Sequence, residues 1–185
     1  MLSRTFLWPQ GYTSAAMISV NLDAEFYGRI FYPGIDVSEG DIQRLGWTGM
    51  QYGLPHLLDC FREHGVKGTF FIPGRVAELY PDAVRAIADA GHELGCHGYE
   101  HEILAHFTPE EQLELLKKAK AAIEKAAGRA VTGFRMPEGE ITEQTLVAAK
   151  EAGFAYSSSL SNTDVPYIRQ PAGLPELPIS WTLFD

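Results

Sequence analysis

Basic residues are in deficit in this chain: 15 Lys+Arg stand against 24 Asp+Glu, a formal net charge of −9 with the six His neutral. A chain of that sign repels phosphate backbones. No local basic patch compensates, since Lys117, Lys118 and Lys120 share a helical stretch with Glu111 and Glu114. Nucleic acid is therefore not an expected partner. Cysteine is nearly absent, and Cys60 and Cys96 make neither a disulfide framework nor a zinc-ribbon spacing. The default compartment for such a chain is the reducing cytoplasm. Long apolar runs are missing too: none approaches the roughly 20 residues that cross a bilayer. Met1 to Gly11 is interrupted by Arg4 and Pro9 and has no secretory h-region, so no membrane partner is expected. Core material is not lacking. Of 185 residues 45% are hydrophobic and 21% charged, ordinary globular usage, and 20.5 kDa suits one domain.

Short β-rich runs alternate with helical ones. Strands are expected over Ala15 to Asp23, Lys67 to Ile72, Glu93 to His97, Val131 to Arg135, Phe154 to Ser157 and Glu176 to Ile179. Helices are expected from Thr48 to His64, Val76 to Ala90, Thr108 to Ala127 and Thr142 to Ala152, each followed by Gly as a stop signal. Thr108-Pro109-Glu110-Glu111 reads as an N-cap, a Pro at the first helical position and a capping-box Glu. The alternation predicts an α/β fold with mainly parallel strands. Phe26 to Trp47 breaks the pattern with Gly28, Pro33, Gly34, Gly40 and Gly46 among aromatics. It reads either as a functional loop or as an irregular surface loop pinned by its aromatics.

The strongest chemical constellation is His97-Gly98-Tyr99-Glu100-His101 at the end of a predicted strand. Two imidazoles four residues apart can meet one ion, on a helical turn or on a tight loop that Gly98 permits. The competing reading is a strand-end His plus an unrelated surface His. Asn21 and Asp23 are two apart on the first predicted strand, so their side chains share a face while Val20 and Leu22 pack the other way. Strand C-terminal ends are where α/β folds place their sites. One carboxylate and two imidazoles, from Asp23, His97 and His101, make a three-ligand set with open positions, the pattern of a catalytic metal. The alternative for Asp23 is a cap on the following loop. Cys96 is turned toward packing by strand alternation, and Cys60 within Leu57-Leu-Asp-Cys-Phe61 also reads as core. His92 reads as structural at a helix-to-strand turn.

Val20 to Glu25, Gly68 to Gly74, Ala90 to His101 and Gly133-Phe-Arg-Met-Pro137 together resemble the motifs of the polysaccharide deacetylase family (NodB homology, carbohydrate esterase family 4). Ser158-Ser-Leu160 and Glu176-Leu-Pro-Ile-Ser-Trp181 match as well, in the family's order. The nearest branch includes peptidoglycan deacetylase-like and cyclic-imidase-like proteins. The resemblance implies a single domain over residues 1–185 with a distorted, incomplete (β/α) barrel. It implies one divalent metal, zinc being the expected ion, on Asp23, His97 and His101. Arg135, in an R-x-P motif, would orient the acid that serves as base. The implied reaction is hydrolysis of a non-peptide C–N bond: N-deacetylation of an amino sugar in a polysaccharide, or opening of a small cyclic amide or imide. The alternative from another class is a catalytically weak metal- or carbohydrate-binding homologue.

Two departures from the pattern matter. In this branch the base is an Asp two residues before the metal Asp, a position held here by Asn21, whose amide cannot accept a proton. No His follows His106, although relatives carry a late His used as general acid. The chain is then either a fragment or a protein without the usual acid–base partners. Glu25 is the preferred substitute base, because it shares the face of Asp23 if the strand continues. Glu100, Glu138 and Glu140 are the other candidates. A barrel ending at Trp181-Thr-Leu-Phe-Asp185 would leave an open sheet edge, so a homo-oligomer is expected.

Overall fold

The computed structural model describes residues 8–26, 39–139 and 141–180. Seven strands form one sheet: β1 (Ser19–Asn21), β2 (Thr69–Ile72), β3 (Glu93–Cys96), β4 (Gly133–Phe134), β5 (Tyr156–Ser157), β6 (Tyr167–Arg169) and β7 (Leu174–Glu176). Their order is β1-β2-β3-β4-β5-β7-β6, with every pairing parallel except β6 against β7. The α/β class with a mainly parallel sheet is as the alternation implied, and the described strands form an open arc, not a closed barrel. No helix among the described residues is long and apolar enough to cross a membrane.

Register brings the site together. Asn21 lies beside Phe71, Phe71 beside Gly95, and Cys96 beside Phe134. Parallel strands in this register end at one edge, so Asp23, His97, Arg135 and Ser158, each one or two residues past a strand, converge there. On one face Phe70, Ile72, Leu94, Cys96 and Phe134 join the main core with helix residues such as Val76, Leu116 and Ile123. The opposite face carries Phe71, whose ring occupies the space a Cβ at Gly95 would need.

The helices are α1 (Glu39–Thr48), α2 (Leu54–Glu63), α3 (Gly74–Leu79), α4 (Pro81–Asp89), α5 (Pro109–Ala127) and α6 (Glu143–Glu151). The stretch expected as one helix from Val76 to Ala90 is two, because Pro81 has no N–H to continue the first and starts the second as its N1 residue. The Thr48 to His64 helix begins instead as a π-helical turn, Gly49–Gly53, between α1 and α2. The irregular loop read over Phe26 to Trp47 holds α1 in its second half; residues 27–38 lie outside the described residues. The strand expected over Glu176 to Ile179 lies earlier, as β7 at Leu174–Glu176, and its hairpin partner β6 was not expected, since Pro171, Pro175 and Gly173 mask the strand pattern. The expected capping box of α5 is present, with Gly128 closing the helix at φ 69°. Cys96 is buried as expected, whereas Cys60 is exposed. On α2 the buried stripe runs through Leu54 and Phe61 with Leu57 and Leu58 half-buried, and Cys60 falls on the other side of that stripe. His92 is buried and accepts from Gly68 N at 3.1 Å through Nδ1, the structural role read for it.

Candidate metal centre

β1 ends at Asn21, and the chain turns through a single 3₁₀ turn, Ala24–Phe26, directly after Asp23. The turn is held from outside by α1: a Cβ at Gly46 would collide with the backbone nitrogen of Glu25. Opposite, β3 delivers His97, and Gly98 at φ 72° bends the chain so that His101 comes back over it. The two imidazoles lie 4.9 Å apart edge-to-face. His97 Nε2 is 3.7 Å from Asp23 Oδ1, and His101 Nε2 is 3.7 Å from Asp23 Oδ2. One ligand atom from each of the three lies within 4.8 Å of the others, and all three residues are buried.

These separations are too long for hydrogen bonds. Asp23 Oδ1 and His97 Nε2 are buried with no hydrogen-bond partner. Unpaired polar atoms buried face to face cost stability unless something between them is bound. The protonation states agree with that reading. His97 Nδ1 lies 2.9 Å from the Arg135 carbonyl, which can only accept, so the proton sits on Nδ1 and the Nε2 lone pair faces the gap. Burial holds the His97 imidazole well below its usual pKa and brings that of His101 down to about 4. The same burial, with the Glu138 carboxylate nearby, raises Asp23 to about 7 against the lowering pull of Arg135. Two neutral imidazoles and a carboxylate awaiting a positive charge fit a borderline divalent cation such as zinc.

Backbone strain concentrates here. Ala24 (φ 48°), His101 (φ 61°) and Glu138 (φ 58°) are the positive-φ non-glycine residues among those described. Each flanks or belongs to the site, as residues held in rare conformations for function tend to do.

Beside the ligand set, Asn21 Oδ1 accepts from Arg135 Nη1 at 2.9 Å. Arg135 is buried, donates from Nε to Ser158 O at 2.6 Å and from Nη2 to Ser158 Oγ at 2.9 Å, and lies over the Phe71 ring at 4.1 Å. Burial lowers its pKa to about 10, so it stays cationic at neutral pH. The loop that carries Ser158 is itself pinned: buried Glu176 accepts from Ser159 N at 2.6 Å and Leu160 N at 2.8 Å. Ser158 and Glu176 lay in motifs noted from the sequence, but their support of Arg135 depends on β5 and β7 being adjacent. Phe71 gave no signal beyond its apolar character.

The substitute bases separate. Glu25 was placed on the face of Asp23 on condition that the strand continues, and it does not. The 3₁₀ turn instead sets Glu25 in the wall of a neighbouring cavity, with Glu100 also in its lining. Glu138 is the carboxylate brought to the ligand set, with Oε1 3.8 Å from His101 Nδ1. Glu140 lies outside the described residues. Cys96, its thiol pushed far up by burial, is inert core.

A family model described as polysaccharide deacetylase matches residues 47–157. A peptidoglycan deacetylase of Helicobacter pylori is 36% identical over 137 residues, covering 74% of this chain and 46% of that protein. Among solved structures, one from Mycobacterium smegmatis, provisionally described as a polysaccharide deacetylase, superposes with a TM-score of 0.86 at 35% identity. It is matched over 96% of this chain and 63% of its own. An allantoinase structure superposes with a TM-score of 0.68 at 26% identity, over 78% of this chain and 48% of its own. The chain spans less than half the length of the curated relatives it matches.

Proposed function

The chain belongs to the polysaccharide deacetylase family, and from that premise we propose that it is a metal-dependent hydrolase that removes the N-acetyl group from an amino sugar of a polysaccharide. The observation that carries the reading is the buried trio Asp23, His97 and His101, with lone pairs facing one gap and no protein partner for Asp23 Oδ1 or His97 Nε2. Asp23, His97 and His101 would hold a divalent cation, zinc by the chemistry of the donor set, which when bound would polarise the acetamide carbonyl and lower the pKa of the attacking water.

The protein's own groups then divide the remaining work. The Arg135 carbonyl holds His97 in the tautomer that presents Nε2. Glu138 brings a carboxylate to 3.8 Å from His101 Nδ1, too far for a hydrogen bond to that buried nitrogen but close enough to favour positive charge in the gap. Arg135 holds residue 21 at the edge of the ligand set, where a proton acceptor is needed. Asn21 fills that place with an amide that takes no proton, so slow turnover is the expected behaviour. The test is acetate release from an acetylated amino-sugar oligomer by the metal-loaded protein. Release well above that of the metal-stripped protein supports the reading; none at any metal loading refutes it.

A second reading, hydrolysis of a small cyclic amide, is supported by the similarity to an allantoinase structure. Ring opening of a cyclic imide in the same assay, without acetate release, would favour it.

A further inference from the structure

We infer that Glu102 is the positioning residue for His101: its carboxylate holds the loop between the two histidines in the shape that turns the second imidazole toward the first. The inference rests on the reading of Asp23, His97 and His101 as the ligand set.

The two histidines are held differently. His97 directly follows β3, its backbone N donating to Ile72 O at 2.9 Å, and its ring is oriented by the Arg135 carbonyl at 2.9 Å. His101 lies outside any strand or helix, and its buried Nδ1 has no hydrogen-bond partner among the described residues. The place of that ring therefore depends on the backbone that carries it. His101 sits at φ 61°, three residues after Gly98 at φ 72°, a region that costs energy for a residue with a Cβ. Contacts elsewhere in the loop must hold it there.

The first half of the loop is anchored from outside. Gly74 N donates to Gly98 O at 3.0 Å, and Arg75 N donates to Tyr99 O at 2.8 Å. Tyr99 is buried, its hydroxyl donating to Glu78 Oε2 at 3.0 Å, with Lys118 Nζ 3.7 Å from the centre of its ring. The second half is closed by Glu102. Its carboxylate folds back and accepts from Tyr99 N, at 2.9 Å to Oε1 and 3.2 Å to Oε2, and from Glu100 N through Oε2. Successive backbone N–H groups aimed at one point make an anion-binding concavity. Here the chain fills it with its own carboxylate, through charge-assisted bonds about twice as strong as neutral ones. His101 is the residue between these N–H groups and the carboxylate, so closing the loop fixes its φ and the direction of its side chain. Glu102 thus supplies through the backbone the orientation that the Arg135 carbonyl gives His97 through the ring.

The test is the zinc dissociation constant, measured by competition with a chromophoric chelator, for wild type and four variants. Partners that orient a ligand histidine are typically worth about 10–100-fold in metal affinity, so Glu102→Ala should weaken zinc at least about tenfold. Glu102→Gln keeps an oxygen that can accept from both N–H groups and should stay within about threefold of wild type. Glu102→Asp keeps the charge but is one methylene shorter, and should weaken zinc at least about threefold. That order separates positioning from the bare attraction of a negative charge for the cation, which would spare Asp and weaken Gln. Thr108→Ala, which removes a helix cap away from the site, should leave zinc affinity unchanged. If Glu102→Ala does not fold, the order of the Gln and Asp variants decides alone. Glu102→Ala within about threefold of wild type, Gln weaker than Asp, or an equal loss in Thr108→Ala overturns the assignment. Wild type without stoichiometric zinc overturns the ligand set together with it. The expected order without acetate release from any substrate overturns the deacetylase proposal alone.

Discussion

Asn21→Asp is the most informative single change, because it restores a proton acceptor where Arg135 already waits for one. Asn21 Oδ1 lies 2.9 Å from Arg135 Nη1, and the guanidinium is buried with only neutral acceptors among its hydrogen-bond partners. The existing bond is already charge-assisted by the guanidinium, in the class worth about 1.5–3 kcal/mol, and a carboxylate at that place adds the attraction of an opposite charge. The new charge also stands two residues from Asp23, just past the end of β1, and that repulsion offsets part of the gain. The fold should therefore tolerate the change. General-base assistance is typically worth 10²–10⁴-fold, or about 3–5 kcal/mol of barrier. Pairing with Arg135 lowers the pKa of the new carboxylate and weakens it as a base, so the lower end, about 10²-fold in kcat, is the expected rise. The assay is acetate release from an acetylated amino-sugar oligomer, with wild type and variant loaded to equal metal content. A variant of equal metal content whose rate stays within about twofold of wild type would refute the assignment of residue 21 as the base position.

His101→Ala should abolish stoichiometric binding of zinc, read by elemental analysis of the purified protein; unchanged metal content would remove Asp23, His97 and His101 as the ligand set. Affinity for zinc should fall about 50-fold between pH 7 and 5, approaching tenfold per pH unit at the lower end, because Asp23, raised to about 7, must release a proton to bind a cation. His101 at about 4 and His97, also held low, stay neutral through that window and add nothing, so a flat affinity profile over it would contradict the burial argument. Thr108→Ala removes the side chain that caps α5 and accepts from Glu111 N. It should lower stability by about 1 kcal/mol in denaturant unfolding, and an unshifted midpoint would show that the cap contributes nothing.

The sequence alone determined the alternation of strand and helix, the Gly stops, the capping box of α5, and the ligand candidates Asp23, His97 and His101. Each is local: a period, a cap residue or a spacing of a few positions decides it. It also exposed the conflict at Asn21, since residue type alone says that an amide holds no proton. What the sequence left undecided depends on contacts across long separations. Glu25 lost its place on the face of Asp23 because the chain leaves strand geometry for a 3₁₀ turn, against which α1 packs closely at Gly46, 21 positions away. Glu138 reached His101 through a left-handed backbone conformation that no propensity predicts for Glu. Cys60 was sorted from the core by the orientation of α2, not by its apolar neighbours. Arg135 could be named from its motif, but its partners Phe71, Ser158 and Asn21 come from three other strand ends, and only parallel pairing in one register makes them neighbours. The pKa shifts belong to the same class. Asp23 is an ordinary carboxyl in the chain and one raised to about 7 in the fold, because desolvation exists only once the tertiary structure has closed around it.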